Sequence, residues 1–131
     1  MQNDECKMQN ESSLTGNPAV DKSFDFAMRI VNVYKYLTKK HREYVLSKQL
    51  LRCGTSIGAN IMEAQRGQSH ADFIAKMGIA LKEANETYYW LKLLYRTDYL
   101  TEAQYVSLNS DILELIGLLA AICKTAQNRN I

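Results

Sequence analysis

Two groups of residues have types and spacings that could do chemistry or recognition. Arg52, Ser56, Asn60 and Glu63 recur at steps of four, four and three, which puts them on one face of a helix. A long cation beside small polar groups suits a polar network that sets helix register, a subunit interface, or an exposed recognition surface. Glu83 and Glu86 lie three apart with Trp90 one turn on. Two carboxylates at that spacing are the nearest approach to an acid–base pair, but on a helix they serve equally as a solvated face or as partners for Lys82 and Arg52.

The second group is cationic. Residues 22 to 52 hold eight lysines and arginines against Asp25 and Glu43, a local charge of +6, whereas the whole chain carries only +2. Arg29, Lys35, Lys39, Lys40, Arg42 and Lys48 are the candidate contacts to phosphate, a partner class whose binding weakens as salt rises. Tyr34, Tyr36 and Tyr44 are interleaved with them, as base stacking would require, although Tyr34 falls on an apolar seam. Nucleic acid, RNA or DNA, is the partner these residues suggest; a solvated helix face is the plainer alternative.

Other chemistries find no support in the residues. A di-iron bundle needs glutamate followed three residues later by histidine, but Glu63, Glu83 and Glu114 are followed by Arg66, Glu86 and Gly117. His41 and His70 stand alone near helix ends, so no metal or other cofactor is expected. There is no G-x-S-x-G elbow and no glycine-rich phosphate loop, so no enzyme activity is expected. Cys6, Cys53 and Cys123 are odd in number and widely spaced, which argues against disulfides and zinc; Cys53 and Cys123 fall on apolar seams as small hydrophobes.

The elements that would position these groups are helical throughout. From Asp21, Phe24, Ala27, Ile30, Val31, Tyr34 and Leu37 form one apolar face. A second helix is expected from Tyr44 to Arg66, with its seam at Leu46, Leu50, Cys53, Ile57, Ile61 and Ala64. Gly54 and Gly58 inside it cost about 1 kcal/mol each relative to alanine, so close approach by a neighbouring helix must compensate. A third helix is expected from His70 to Thr97, opened by Ser69 and Asp72, with Phe73, Ile74, Met77, Ala80, Leu81, Ala84, Tyr88, Leu91 and Leu94 inward. Thr101 and Gln104 form a capping box for a fourth, whose heptad runs through Tyr105, Leu108, Ile112, Leu115, Leu119, Ile122 and Ala126. Ile79, Tyr89, Trp90, Leu93 and Tyr95 are left over as a surface patch of the kind that marks an interface.

Short links between four rods of similar length favour antiparallel neighbours, hence an all-α, up-down-up-down four-helix bundle over residues 21 to 131. Residues 1 to 20, polar and aperiodic, read as a flexible tail. The start of the chain lacks the basic and apolar regions of a signal peptide, and no run approaches the ~20 apolar residues of a membrane span, so a cytoplasmic protein without a membrane role is expected.

The stretch Gln49 to Leu94 resembles the four-helix-bundle proteins encoded by intervening sequences of bacterial 23S rRNA genes, a family with a ribosomal-protein-like label. The matching elements are Gln49, Leu50 and Arg52, Ser56-Ile57, Ala59-Asn60-Ile61 and Glu63, Ser69, Asp72-Phe73-Ile74, Ala80 to Thr87, and Trp90-Leu91. Gly58 stands where members often have proline and Ala64 where many have glycine. The resemblance implies a homopentameric ring of bundles and no catalysis. It also implies a link to RNA, since a related accessory variability protein of diversity-generating retroelements is a basic pentamer associated with nucleic acid and a reverse transcriptase. Two functions follow: an oligomeric nucleic-acid-binding or ribonucleoprotein accessory module, or a scaffold that holds a protein partner.

Overall fold

The computed structural model describes residues 15–129. Among them the chain forms four helices and no strand: α1 Pro18–Lys39, α2 Leu46–Gln65, α3 His70–Arg96 and α4 Glu102–Asn128. At 1.5 Å per residue these are rods of roughly 30 to 40 Å. Most of the expected N-terminal tail, residues 1 to 14, lies outside the described residues. Its last part does not behave as a tail. Asn17 caps α1 by accepting from the Ala19 and Val20 amides, and Thr15 donates from its amide (3.0 Å) and its hydroxyl (3.0 Å) to Asp21. Pro18 occupies the first helical position, where its missing N–H leaves nothing unsatisfied. The helix therefore starts three residues before Asp21.

Local chemistry also explains the other ends. Glu43 reaches the start of α2 and accepts from the amides of Val45 (3.1 Å), Leu46 (2.9 Å) and Ser47 (2.7 Å). Ser69 accepts from the Asp72 amide at α3, and at α4 both bonds of the Thr101–Gln104 capping box are present. The C-terminus of α3 closes as a Schellman turn: Tyr99 donates to the Leu94 carbonyl (2.9 Å) and Asp98 to that of Tyr95 (3.1 Å), with Asp98 at φ 69° where glycine is usual.

Each helix packs chiefly on the next in sequence, and α1 also meets α4 more lightly. The residue pairs that join them run in opposite senses along the chain. Asn17 reaches Gln65 and Ile30 lies against Gly54; Arg52 reaches Glu86 and Lys76 reaches Glu63; Tyr95 stacks on Tyr105 and His70 meets Ala126; Lys22 reaches Glu114 and Arg29 reaches Asp111. The core is built from Phe26, Ile30 and Leu37 of α1, Leu50, Ile57 and Ile61 of α2, Met77, Leu91 and Leu94 of α3, and Ile112, Leu115 and Leu119 of α4.

The α2 seam lies where its period places it, and the glycines inside it meet α1. A Cβ on Gly54 would stand 2.9 Å from both γ carbons of Ile30, and one on Gly58 would stand 3.2 Å from the Ser23 hydroxyl. The α1 seam differs from the expectation. Phe24 is 51% exposed and Val31 36%, while Val20, Ser23 and Phe26 are buried instead. α1 carries two apolar stripes, and the close contact of Ser23 and Ile30 with the α2 glycines selects the second. The leftover patch on α3 is likewise smaller than expected: Ile79 and Tyr89 are exposed, Trp90, Leu93 and Tyr95 are half-buried, and Tyr95 stacks on Tyr105 at 4.5 Å. By length and composition alone α4 is apolar enough to cross a membrane, a property it shares with helices that line a protein core. Its charges are few because alanine, glycine and leucine occupy much of its outer side.

Candidate functional site

The polar stripe of α2 resolves into three separate arrangements. The Arg52 guanidinium bridges to α3, donating to Glu83 at 3.2 Å and to Glu86, while Gln49 accepts from it at 3.5 Å. Glu86 also accepts from the Trp90 indole N–H at 3.0 Å. The Arg52 side chain is 51% exposed, but the carboxylates lie deeper, Glu83 at only 13%. Ser56 and Asn60 instead return their hydrogen bonds to backbone carbonyls of their own helix, those of Arg52 and Ser56. Glu63 pairs with Lys76 at 3.1 Å, apart from the others. Arg52, Glu83, Glu86 and Trp90 are thus brought together, and Ser56, Asn60 and Glu63 are not. The network closes between α2 and α3 of one chain.

Cys53 sits in the core directly beneath this network. Burial pushes its thiol up to about 11, with the carboxylates of Glu86 and Glu83 acting in the same direction against Thr87 and Arg52. Burial also raises the Cys123 thiol and the Tyr105 phenol. Neither cysteine is a poised nucleophile. Cys6 lies outside the described residues. Among those residues no group of three or more His, Cys, Asp or Glu could hold a metal ion.

The cationic group is sorted by its partners. Arg29 donates to Asp111 at 2.5 Å and to the Ser107 hydroxyl at 2.8 Å, which ties it to α4. Lys22 pairs with Glu114 at 2.8 Å. Among the described residues no acid stands within 4 Å of Lys35, Lys39, Lys40, Arg42 or Lys48, all exposed. They lie on the last two turns of α1, the link and the first turn of α2, so they share one end of the helix pair. Glu43, the acid of that link, is turned onto backbone amides. Partial burial would raise its carboxyl, yet the donors from Leu46, Ser47 and Val45 outweigh it and hold the group below the usual value.

Under these cations lies an aromatic cluster that sequence spacing did not suggest. His41 donates to or accepts from the Tyr36 hydroxyl at 3.1 Å and packs edge-on against Tyr36 and Tyr99, at 5.2 and 5.6 Å between centroids. The Lys40 ammonium stands 5.7 Å from the Tyr36 ring. Tyr44 is 55% exposed beside them in sequence, whereas Tyr34 is half-buried. Tyr99 joins the cluster only because the link after α3 comes to the same end, and no local signal announces that.

Residues 17–121 match the family described as 23S rRNA-intervening sequence protein. The chain belongs to this family. A crystal structure at 1.70 Å of a protein with unknown function from the S23 ribosomal protein family of Bacteroides thetaiotaomicron VPI-5482 is similar over 81% of this chain and 98% of that one, with 60% identity and a TM-score of 0.80. No curated protein matches the chain. The matched residues of the family span the Arg52 network and the cationic end alike.

Proposed function

We propose that this chain is a non-catalytic, cytoplasmic RNA-binding accessory protein, built as one up-down-up-down bundle whose first helix starts at Pro18 and working as a homo-oligomeric, pentameric ring. The observation that carries the reading is the set of five cations, Lys35, Lys39, Lys40, Arg42 and Lys48, left without acidic partners at one end of α1 and α2 while the other basic residues of that half are paired. The up-down order is supported by interhelical pairs that run in opposite senses, such as Lys22 with Glu114 and Arg29 with Asp111. The 23S rRNA description of the family favours RNA over DNA.

Oligomerisation is supported by apolar side chains that no helix among the described residues covers: Phe24, Met28 and Val31 on α1 and Val106 and Leu113 on α4. A groove of about 290 Å³ lies beside the first of these, floored by Gly58 and Ala59. A ring multiplies the local charge by its copy number and raises the field at its cationic rim. Binding of a structured RNA to the full chain, followed by fluorescence anisotropy at about 50 and 200 mM salt, tests the reading. Tight binding that weakens by at least tenfold across this range is expected. No binding at about 50 mM salt removes the RNA function and leaves the scaffold, which the uncovered apolar stripes would then serve by holding a protein partner. Light scattering of the same sample tests the oligomer, and a monomer mass removes it.

A further inference from the structure

The outer face of α3 carries a second cationic strip, and the aromatic ring at its middle is exposed where those clustered at the α1–α2 end, Tyr36, His41 and Tyr99, are half-buried. Lys82, Asn85, Tyr89, Lys92 and Arg96 alternate at three and four residues and are all exposed. That spacing puts them in a line about 21 Å long. Among the described residues none of the three cations has an acid within 4 Å, and the carboxylates Glu83 and Glu86 of the same helix are paired with Arg52.

Tyr89 is 57% exposed, yet it is not a loose side chain. Its ring packs edge-on against Trp90 at 5.1 Å, Trp90 donates to Glu86, and Glu86 accepts from Arg52. A chain of contacts from α2 therefore reaches the ring, more than half of which stays exposed. Cations flanking a fixed, exposed aromatic face are what an unpaired strand requires: phosphates track the charges and a base stacks on the ring. A duplex offers phosphates but keeps its bases from the ring.

We propose that the α3 strip binds a single-stranded segment of RNA, with Lys82, Lys92 and Arg96 along the phosphates and Tyr89 stacked on a base. The inference rests on the RNA reading above and adds a second limb to it. An acidic protein segment could follow the charges but would gain nothing from a planar stacking partner.

The test compares a blunt RNA hairpin with the same hairpin bearing an eight-nucleotide unpaired extension, using the full chain. The extension should tighten binding by about tenfold or more and steepen the salt dependence by about two in log–log slope, as three contacts to a single strand imply. It should also change the emission of Trp90, the only tryptophan, which touches the stacking ring. Tyr89→Ala should abolish the emission change and most of the gain, Tyr89→Phe should keep both, and Lys82→Gln with Lys92→Gln should flatten the added slope. Equal binding of the two hairpins, or an extension effect untouched by these variants, overturns the α3 limb while the RNA function stands. Failure to bind either hairpin removes the RNA function itself.

Discussion

Replacing Gly54 by alanine tests how closely α1 and α2 approach. In an open helical site this change stabilises by about 1 kcal/mol, because alanine loses less backbone entropy. Here the new Cβ would stand 2.9 Å from both γ carbons of Ile30, well inside the ~3.5–4.0 Å at which carbon atoms rest. Ile30 is fully buried and β-branched, so its rotamer cannot swing aside. Overpacking of this sort costs about 1–3 kcal/mol, which leaves Gly54→Ala neutral to about 2 kcal/mol destabilising. Gly78 and Gly117 meet nothing within 4 Å and serve as controls, each alanine variant stabilising by about 1 kcal/mol. Urea unfolding at one fixed protein concentration, which holds any oligomer contribution constant, reads the difference. In an Ile30→Ala background, itself worth a loss of about 2–5 kcal/mol, Gly54→Ala should regain its stabilising sign. If Gly54→Ala stabilises as much as Gly78→Ala in the parent protein, the close approach of the two helices is refuted.

Three further outcomes follow from other sites. Glu43→Gln should destabilise by about 1 kcal/mol at pH 7 through weakened capping of α2. Since the folded carboxyl sits below its usual value, its contribution is present above the unfolded value near 4.5 and lost as pH falls through the folded one, so the gap between parent and variant in urea midpoints should close in acid. Arg42 adopts φ 54°, so Arg42→Gly should gain about 1 kcal/mol in thermal unfolding while weakening RNA binding, two readouts of opposite sign; a loss of stability would show that the side chain packs. In a Cys6→Ser background, Cys53 and Cys123 should resist a thiol reagent at pH 8 until the chain unfolds. Stability should also fall as pH rises from about 9 towards 11, where the unfolded Cys53 ionises and the buried one does not; rapid labelling of the native protein would contradict the burial.

Much of the helical framework is legible one segment at a time. Caps and periodicity act within a few residues, so Thr101 with Gln104, the α2 seam from Leu50 to Ala64 and the need for a neighbour at Gly54 all follow from the chain alone. The family is legible for the same reason, because its polar and small residues keep fixed offsets along α2 and α3. Where a segment offers two answers, local information does not choose. α1 has one stripe through Phe24 and Val31 and another through Phe26 and Ile30, and only the packing of Ser23 and Ile30 on the α2 glycines decides which is buried. Charge behaves alike. Counting residues gives the first half an excess of +6, but whether a cation is free depends on acids from distant segments: Asp111 and Glu114 of α4 take Arg29 and Lys22, and Glu83 and Glu86 of α3 take Arg52. Type and period are properties of neighbours in sequence and were fixed by it; partner choice is a property of neighbours in space, and only the assembled helices settled which cations and which apolar side chains remain open.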